Sequence, residues 1–219
     1  IAHNNVGISG KVSGTVSNLR GRDLQLALGN RTTFDGKFSL MGLPNIKETF
    51  ISFDCEELKT NYSDLKKIYP SVEYPSEIGR LGNVNFKGNF DGFINNFVTY
   101  GELKTDIGSI SSDINLELVD GPEQGSYSGS LAMNSFDLGR LTGDTENLGK
   151  VSLNGSLNGE GFKMEELEAK LDADIPSLVI KGFAYENIDI NGEFTQREFT
   201  GEVDIDMPDI SFNFNGIAD

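Results

Sequence analysis

The sequence predicts an all-β protein: an elongated, strongly curved, mostly antiparallel open sheet with an apolar concave groove and one or two short helical turns. Three observations carry this expectation. Apolar and polar residues alternate along most of the 219-residue chain, which is the period of a strand wet on one face. Glycine recurs in phase with the apolar residues, where a strand normally keeps bulk. The 26 glycines against 6 prolines fit many tight turns, and no segment shows a long helical period.

The elements follow in order. Ile8-x-Gly10-x-Val12-x-Gly14 opens the chain, and Leu24, Leu26 and Leu28 then alternate with Gln25 and Ala27 before a turn at Leu28-Gly29-Asn30. Phe34-x-Gly36-x-Phe38-x-Leu40 is the next strand. Residues 54–80 break the alternation, hold two prolines, and predict a short helix near 63–68 followed by a loop crossing to the next part of the sheet. Val84, Phe86-x-Gly88-x-Phe90-x-Gly92 resumes the pattern, and Ile114, Leu116 and Leu118 continue it to a turn at Asp120-Gly121-Pro122. Tyr127-x-Gly129-x-Leu131-x-Met133 leads into residues 135–149, where one helical turn is expected around Phe136 to Leu141. Both interruptions read as edge covers or plugs for the apolar face.

Leu153-x-Gly155-x-Leu157-x-Gly159, Ile188-x-Ile190-x-Gly192-x-Phe194 and Phe199-x-Gly201-x-Val203-x-Ile205 follow, and after Met207-Pro208-Asp209 the run Ile210, Phe212, Phe214 closes the series. These units are related but unequally spaced, unlike a strict solenoid. Roughly fourteen strands joined by short turns make a largely antiparallel meander. The chain reads as a single segment, 1–219, with a possible subdivision into 1–80 and 81–219.

Composition excludes several functions. With 34 acidic against 18 basic residues the formal charge is −16, the wrong sign for nucleic acid or for anionic lipid head groups. Acidic residues fall at turns and on the polar face, as in Asp172-Ala173-Asp174 and Asp204-Ile205-Asp206, where solubility explains them. One histidine, His3, and one cysteine, Cys55, make neither a nucleophile–base pair nor a zinc set. Asp204 and Asp206 could be paired glycosidase acids, but on a strand they share a solvated face. Asp204, Asp206 and Asp209 lack the glycine turn of a calcium loop, and neither GNRTTFDG nor GSLNGEGF joins a strand to a helix as a phosphate cradle does. No catalytic residue, metal or cofactor is expected. No run of about 18 apolar residues is present to span a membrane. The chain starts at Ile1 with no initiator Met, so it is expected to be a piece of a longer protein.

The apolar face is therefore the informative feature. In-phase glycines at Gly10, Gly14, Gly36, Gly88, Gly92, Gly129, Gly155, Gly159, Gly192 and Gly201 relieve crowding on the concave side of a bent sheet. If the sheet closed, the same glycines would serve barrel corners or close packing. If it stays open, Ile8, Val12, Phe34, Phe38, Leu40, Val84, Phe86, Phe90, Ile114, Leu116, Leu118 and Tyr127 line one part of a trough. Leu131, Leu153, Leu157, Ile188, Ile190, Phe194, Phe199, Val203, Ile205, Phe212 and Phe214 line the rest. Such a trough exceeds the few hundred Å² of apolar patch that a soluble monomer usually exposes, and calls for a hydrophobic guest.

The run FDLGRLTGDTENLGKVSLNGSLNGEGF, followed by IPSLVIKGFAYENIDINGEFTQREFTGEVDIDMPDISFNFNG, resembles TamB and the wider AsmA-like proteins of diderm bacteria, in the style of Bacteroidota members. The resemblance is firmest over 81–219. It implies a "β-taco", a long curled open sheet whose groove carries phospholipid acyl chains across the periplasm, with an inner-membrane anchor outside this segment. It also implies an outer-membrane partner barrel of the TamA/BamA type and no catalytic residues. Two other functions are weighed beside lipid transport: a chaperone-like surface that pairs its sheet edge with unfolded barrel strands during outer-membrane protein assembly, and a surface or adhesin module with a closed core.

Overall fold

The computed structural model describes residues 6–29, 31–68, 76–118, 125–161 and 167–218. His3, the turn at 120–122 and the two prolines of the 54–80 interruption lie outside them. The chain divides into two units, Ile1–Ile107 and Gly108–Asp219.

The first unit holds six strands: β1 (Val6–Thr15), β2 (Asn18–Leu28), β3 (Thr32–Met41), β4 (Phe50–Asn61), β5 (Asn83–Phe93) and β6 (Asn96–Thr105). The second holds seven: β7 (Gly108–Leu118), β8 (Gly125–Asp137), β9 (Leu148–Glu160), β10 (Glu168–Ile180), β11 (Phe183–Thr195), β12 (Glu198–Asp206) and β13 (Ser211–Ala218). Within each unit every strand pairs antiparallel with its neighbours in sequence. In neither unit does the first strand pair with the last, so each sheet is open. The all-β, antiparallel, open meander expected from the alternation is what folds.

Helix is confined to short pieces. α1 (Tyr62–Ile68) stands where the helix near 63–68 was expected. Its Asp64 is buried: Oδ2 accepts the Arg31 amide at 3.0 Å, which ties the helix to the turn between β2 and β3. The Asn61 side chain in turn accepts the Asp64 amide at 2.9 Å and caps the helix. α2 (Ser76–Arg80) and one 3₁₀ turn (Ile46–Glu48) were not expected. α3 (Leu138–Thr142) fills the 135–149 interruption. Asp137 caps it by accepting the Arg140 amide at 2.8 Å, and Gly143, at φ 85°, closes it with an N–H donated to the Gly139 carbonyl. Phe136 belongs to β8, not to the helix, and with Val151 opposite it on β9 forms the most deeply buried point of the second unit.

Residues 54–61, expected to break the strand pattern together with 62–80, are the second half of β4. A bulge at Glu56 sets Asp35 opposite Glu57 and Gly36 opposite Cys55, so Cys55 and Leu58 share a face although they stand three residues apart. The extra residue breaks the two-residue period by which a strand is recognised.

Candidate functional site: an uncovered apolar face

Register decides which side chains share a face, because directly paired residues point the same way. In the first unit one row crosses all six strands: Ile8, Leu26, Phe34, Leu58, Phe86, Leu103. Beside it runs a row of small residues, Gly36, Cys55, Gly88 and Gly101, and beyond that Val12, Gly21, Phe38, Phe53, Phe90 and Thr99. The fourth row is Gly14, Leu19, Leu40, Ile51, Gly92 and Phe97. Val84 continues this face beside Thr60.

The second unit is built alike. Leu116, Tyr127, Gly159, Ala169, Phe194 and Phe199 make one row, and Ile114, Gly129, Leu157, Leu171, Gly192 and Gly201 the next. Leu131, Gly155, Ala173, Ile190, Val203 and Phe214 follow, and then Ile188, Ile205 and Phe212, with Leu153 opposite Met133 and Leu118 opposite Gly125 at the margins. Within each unit the residues named from sequence thus share one face, Gly10 among them between its β1 neighbours Ile8 and Val12.

The sequence reading left out β4, β6 and β10. Ile51, Phe53, Cys55 and Leu58 were hidden by the β4 bulge. Phe97 and Leu103 lie on a strand whose other face carries Val98 and Tyr100, which blurs the alternation. Ala169, Leu171, Ala173 and Ile175 alternate cleanly with Lys170, Asp172 and Asp174, and were legible.

Glycine and aromatic residues fit one another on this face. A Cβ on Gly88 would stand 2.8 Å from the Phe86 ring and one on Gly101 would stand 2.6 Å from it, so a single ring lies over two neighbouring strands. Phe199 lies in the same way over Gly192 and Gly201, and Phe38 over Gly21. The missing side chains let the rings lie down on the backbone, a packing that shields strand glycines. Around Gly129, Ile114, Leu116, Tyr127, Leu131 and Leu157 surround a hollow of about 370 Å³ in the second unit. Burial raises the Tyr127 hydroxyl pKa above its ordinary value.

No second layer covers the face among the described residues, since the strands pack chiefly on their hydrogen-bonded neighbours. Its phenylalanines are half-buried by adjacent side chains rather than enclosed, apart from Phe212, which is 49% exposed, and Leu157 is 37% exposed. Only a few apolar groups are buried outright, among them Leu24 and Cys55 in the first unit. Burial, followed by the carboxylates of Asp54, Asp35 and Glu57, pushes the Cys55 thiol up to about 11 and leaves it unreactive at neutral pH.

The opposite face is mainly polar, with Val98 and Tyr100 exposed on it in β6. Lys37 pairs with Asp54 at 2.9 Å, which raises the lysine pKa, and Lys59 pairs with Glu57 at 2.7 Å, which lowers the glutamate. The units differ in charge. Residues 1–107 hold 12 basic and 12 acidic side chains, whereas 108–219 hold 6 basic and 22 acidic, which is the whole of the −16. No three histidine, cysteine or acidic groups among the described residues come together as metal ligands. No helix among them is long and apolar enough to cross a membrane. No family model, curated protein or solved structure matches this chain.

Proposed function

We propose that the apolar face is a lipid-carrying groove and that the chain is a segment of a TamB/AsmA-like envelope protein conducting phospholipid between inner and outer membranes. The observation that carries this reading is the set of unbroken apolar rows across each unit, left open to solvent. Burying one CH₂ is worth about 0.8 kcal/mol, so an acyl chain along such a row is held firmly in sum and weakly at any one point. Rings laid flat over glycine offer it contact without a polar grip. In this reading the partners are phospholipid acyl chains, an inner-membrane anchor in the longer protein and an outer-membrane barrel of the TamA/BamA type, and the location is the periplasm.

Mass spectrometry of lipid extracted with the purified chain tests the proposal. Phospholipid should co-purify with the wild type and be lost from Phe90→Asp and Leu157→Asp, while both variants keep a cooperative thermal melt. A charge on an open face stays solvated, whereas in a closed interior it would be buried without a partner at a cost of several kcal/mol. Absence of lipid from the wild type, or unfolding of both variants, would overturn the reading.

A further inference from the structure

We propose that one rim of the first unit seats itself in the surface of a lipid bilayer, led by the β3–β4 connection and the β5–β6 turn. The two lie side by side: Met41 pairs with Phe50, Ile51 pairs with Gly92, and the Phe50 and Phe93 rings meet edge to face with centroids 5.5 Å apart. Turns are ordinarily built from polar residues, glycine and proline. Here Ile46 and Ile94 stand in the connections, each 46% exposed, and Met41 and Phe93 at the strand ends behind them are exposed as well. The 3₁₀ turn that carries Ile46 is fixed in place. Thr49, fully buried, donates its hydroxyl to the Asn45 carbonyl at 2.7 Å, and the Asn45 side chain accepts the Lys47 amide at 3.3 Å.

Both sides of the sheet are apolar at this rim. Leu40, Ile51 and Phe97 belong to the apolar face. Met41, Phe50 and Phe93 stand one place nearer the strand ends and so point to the other side, where Val98 lies one row further in, opposite Asp91. β3, β4 and β5 each pair on both sides within the unit, so the exposure belongs to the connections and not to a strand edge. A contiguous exposed apolar surface marks contact with a protein or a membrane. Shape selects the membrane: a protein docked on a face covers one side, whereas a fluid hydrocarbon boundary closes over both sides and the tips together. Charge agrees. The two connections carry one cation, Lys47, and one anion, Glu48, which suits zwitterionic head groups. At the other rim Arg31, Lys59, Lys104 and Asp106 gather instead, so the unit has one apolar rim and one charged rim. The inference does not rest on transport of lipid along the groove.

Flotation with phosphatidylcholine vesicles tests it. The wild type should float with the vesicles, and do so at least as well in molar salt, because no ion pair holds it there. Ile46→Asp with Ile94→Asp should lower the bound fraction by about tenfold or more, with circular dichroism unchanged because both side chains are already exposed. The chain has no tryptophan, so a single one reports its own surroundings. Emission from Ile46→Trp and from Ile94→Trp should shift to the blue when vesicles are added, and should be quenched by phosphatidylcholine brominated on its acyl chains. Lys104→Trp, at the other rim, should do neither. A wild type that stays clear of the vesicles would overturn the proposal, as would equal quenching at all three positions or a double aspartate variant that floats like the wild type. A chain that ignores vesicles but doubles in mass, and returns to a monomer in the double variant, would give the rim to a second copy and overturn it too. A chain that floats while no phospholipid co-purifies with it would uphold the rim and sink only the groove.

Discussion

Gly88 shows why these glycines resist replacement. A Cβ there would stand 2.3 Å from the Tyr100 carbonyl oxygen as well as against the Phe86 ring, so both strand spacing and ring position would have to give. Gly88→Ala should therefore cost about 1–3 kcal/mol, the usual range for overpacking, read from urea denaturation. Gly7→Ala is the control: its nearest neighbour would be the Ala27 Cβ at 3.6 Å, and the change should fall within about 0.5 kcal/mol. Cys55 supplies a pH signature. Its thiol ionises near 9 when unfolded and near 11 when folded, so its contribution is whole below pH 9 and is lost as pH rises through that window. The denaturation midpoint of the wild type should fall relative to Cys55→Ala between those values, and parallel curves would show the thiol to be solvated. In-phase glycine was plain from sequence. That a phenylalanine two residues away, or on the next strand, occupies its space was not, because a one-dimensional pattern holds no ring orientation.

At the scale of the strand, legibility failed where the backbone gains a residue. β2 has a bulge at Arg22 and Asp23, with Asp23 at φ 49°, which keeps Gly21 and Leu24 on one face although they are three apart. β4 does the same at Glu56, and its apolar residues were missed for that reason. β12, with strict alternation and an unbroken register to β11, was read correctly from end to end. That same register stacks like charges: Asp174 faces Asp189, and Asp189 faces Asp204. Directly opposed carboxylates repel, so Asp189→Asn should stabilise the chain by about 0.2–1 kcal/mol, seen as a higher melting temperature that converges with the wild type in molar salt. An unchanged or lower value in low salt would mean that the row is relieved by bound cations.

Over the whole chain the charge is divided as sharply as the polarity of the faces. Self-repulsion within 108–219 should loosen that unit at low ionic strength. Hydrogen exchange resolved by peptide should accordingly show β10 to β12 gaining protection between low and physiological salt, with little change in β2 to β5. Equal gains in both units would place the effect on something other than net charge. Sequence alternation predicted which residues share the candidate face within each unit, because a face is a matter of parity along the strand. The hollow above Gly129 was not legible, since it depends on which neighbours on β7 and β9 the register sets beside it.

Every strand pairing described within the units joins segments adjacent in the chain. Loop closure is then local at each step, the longest connection being residues 62–82 between β4 and β5, and β-structure of this kind escapes much of the slow, long-range search that sandwiches and barrels must make. A nucleus at any hairpin can grow outward one strand at a time. The inherited consequence is that a duplicated or deleted hairpin disturbs only the strands on either side of it, and leaves the parity of every other face intact. Strand number in such a lineage is free to drift in steps of two.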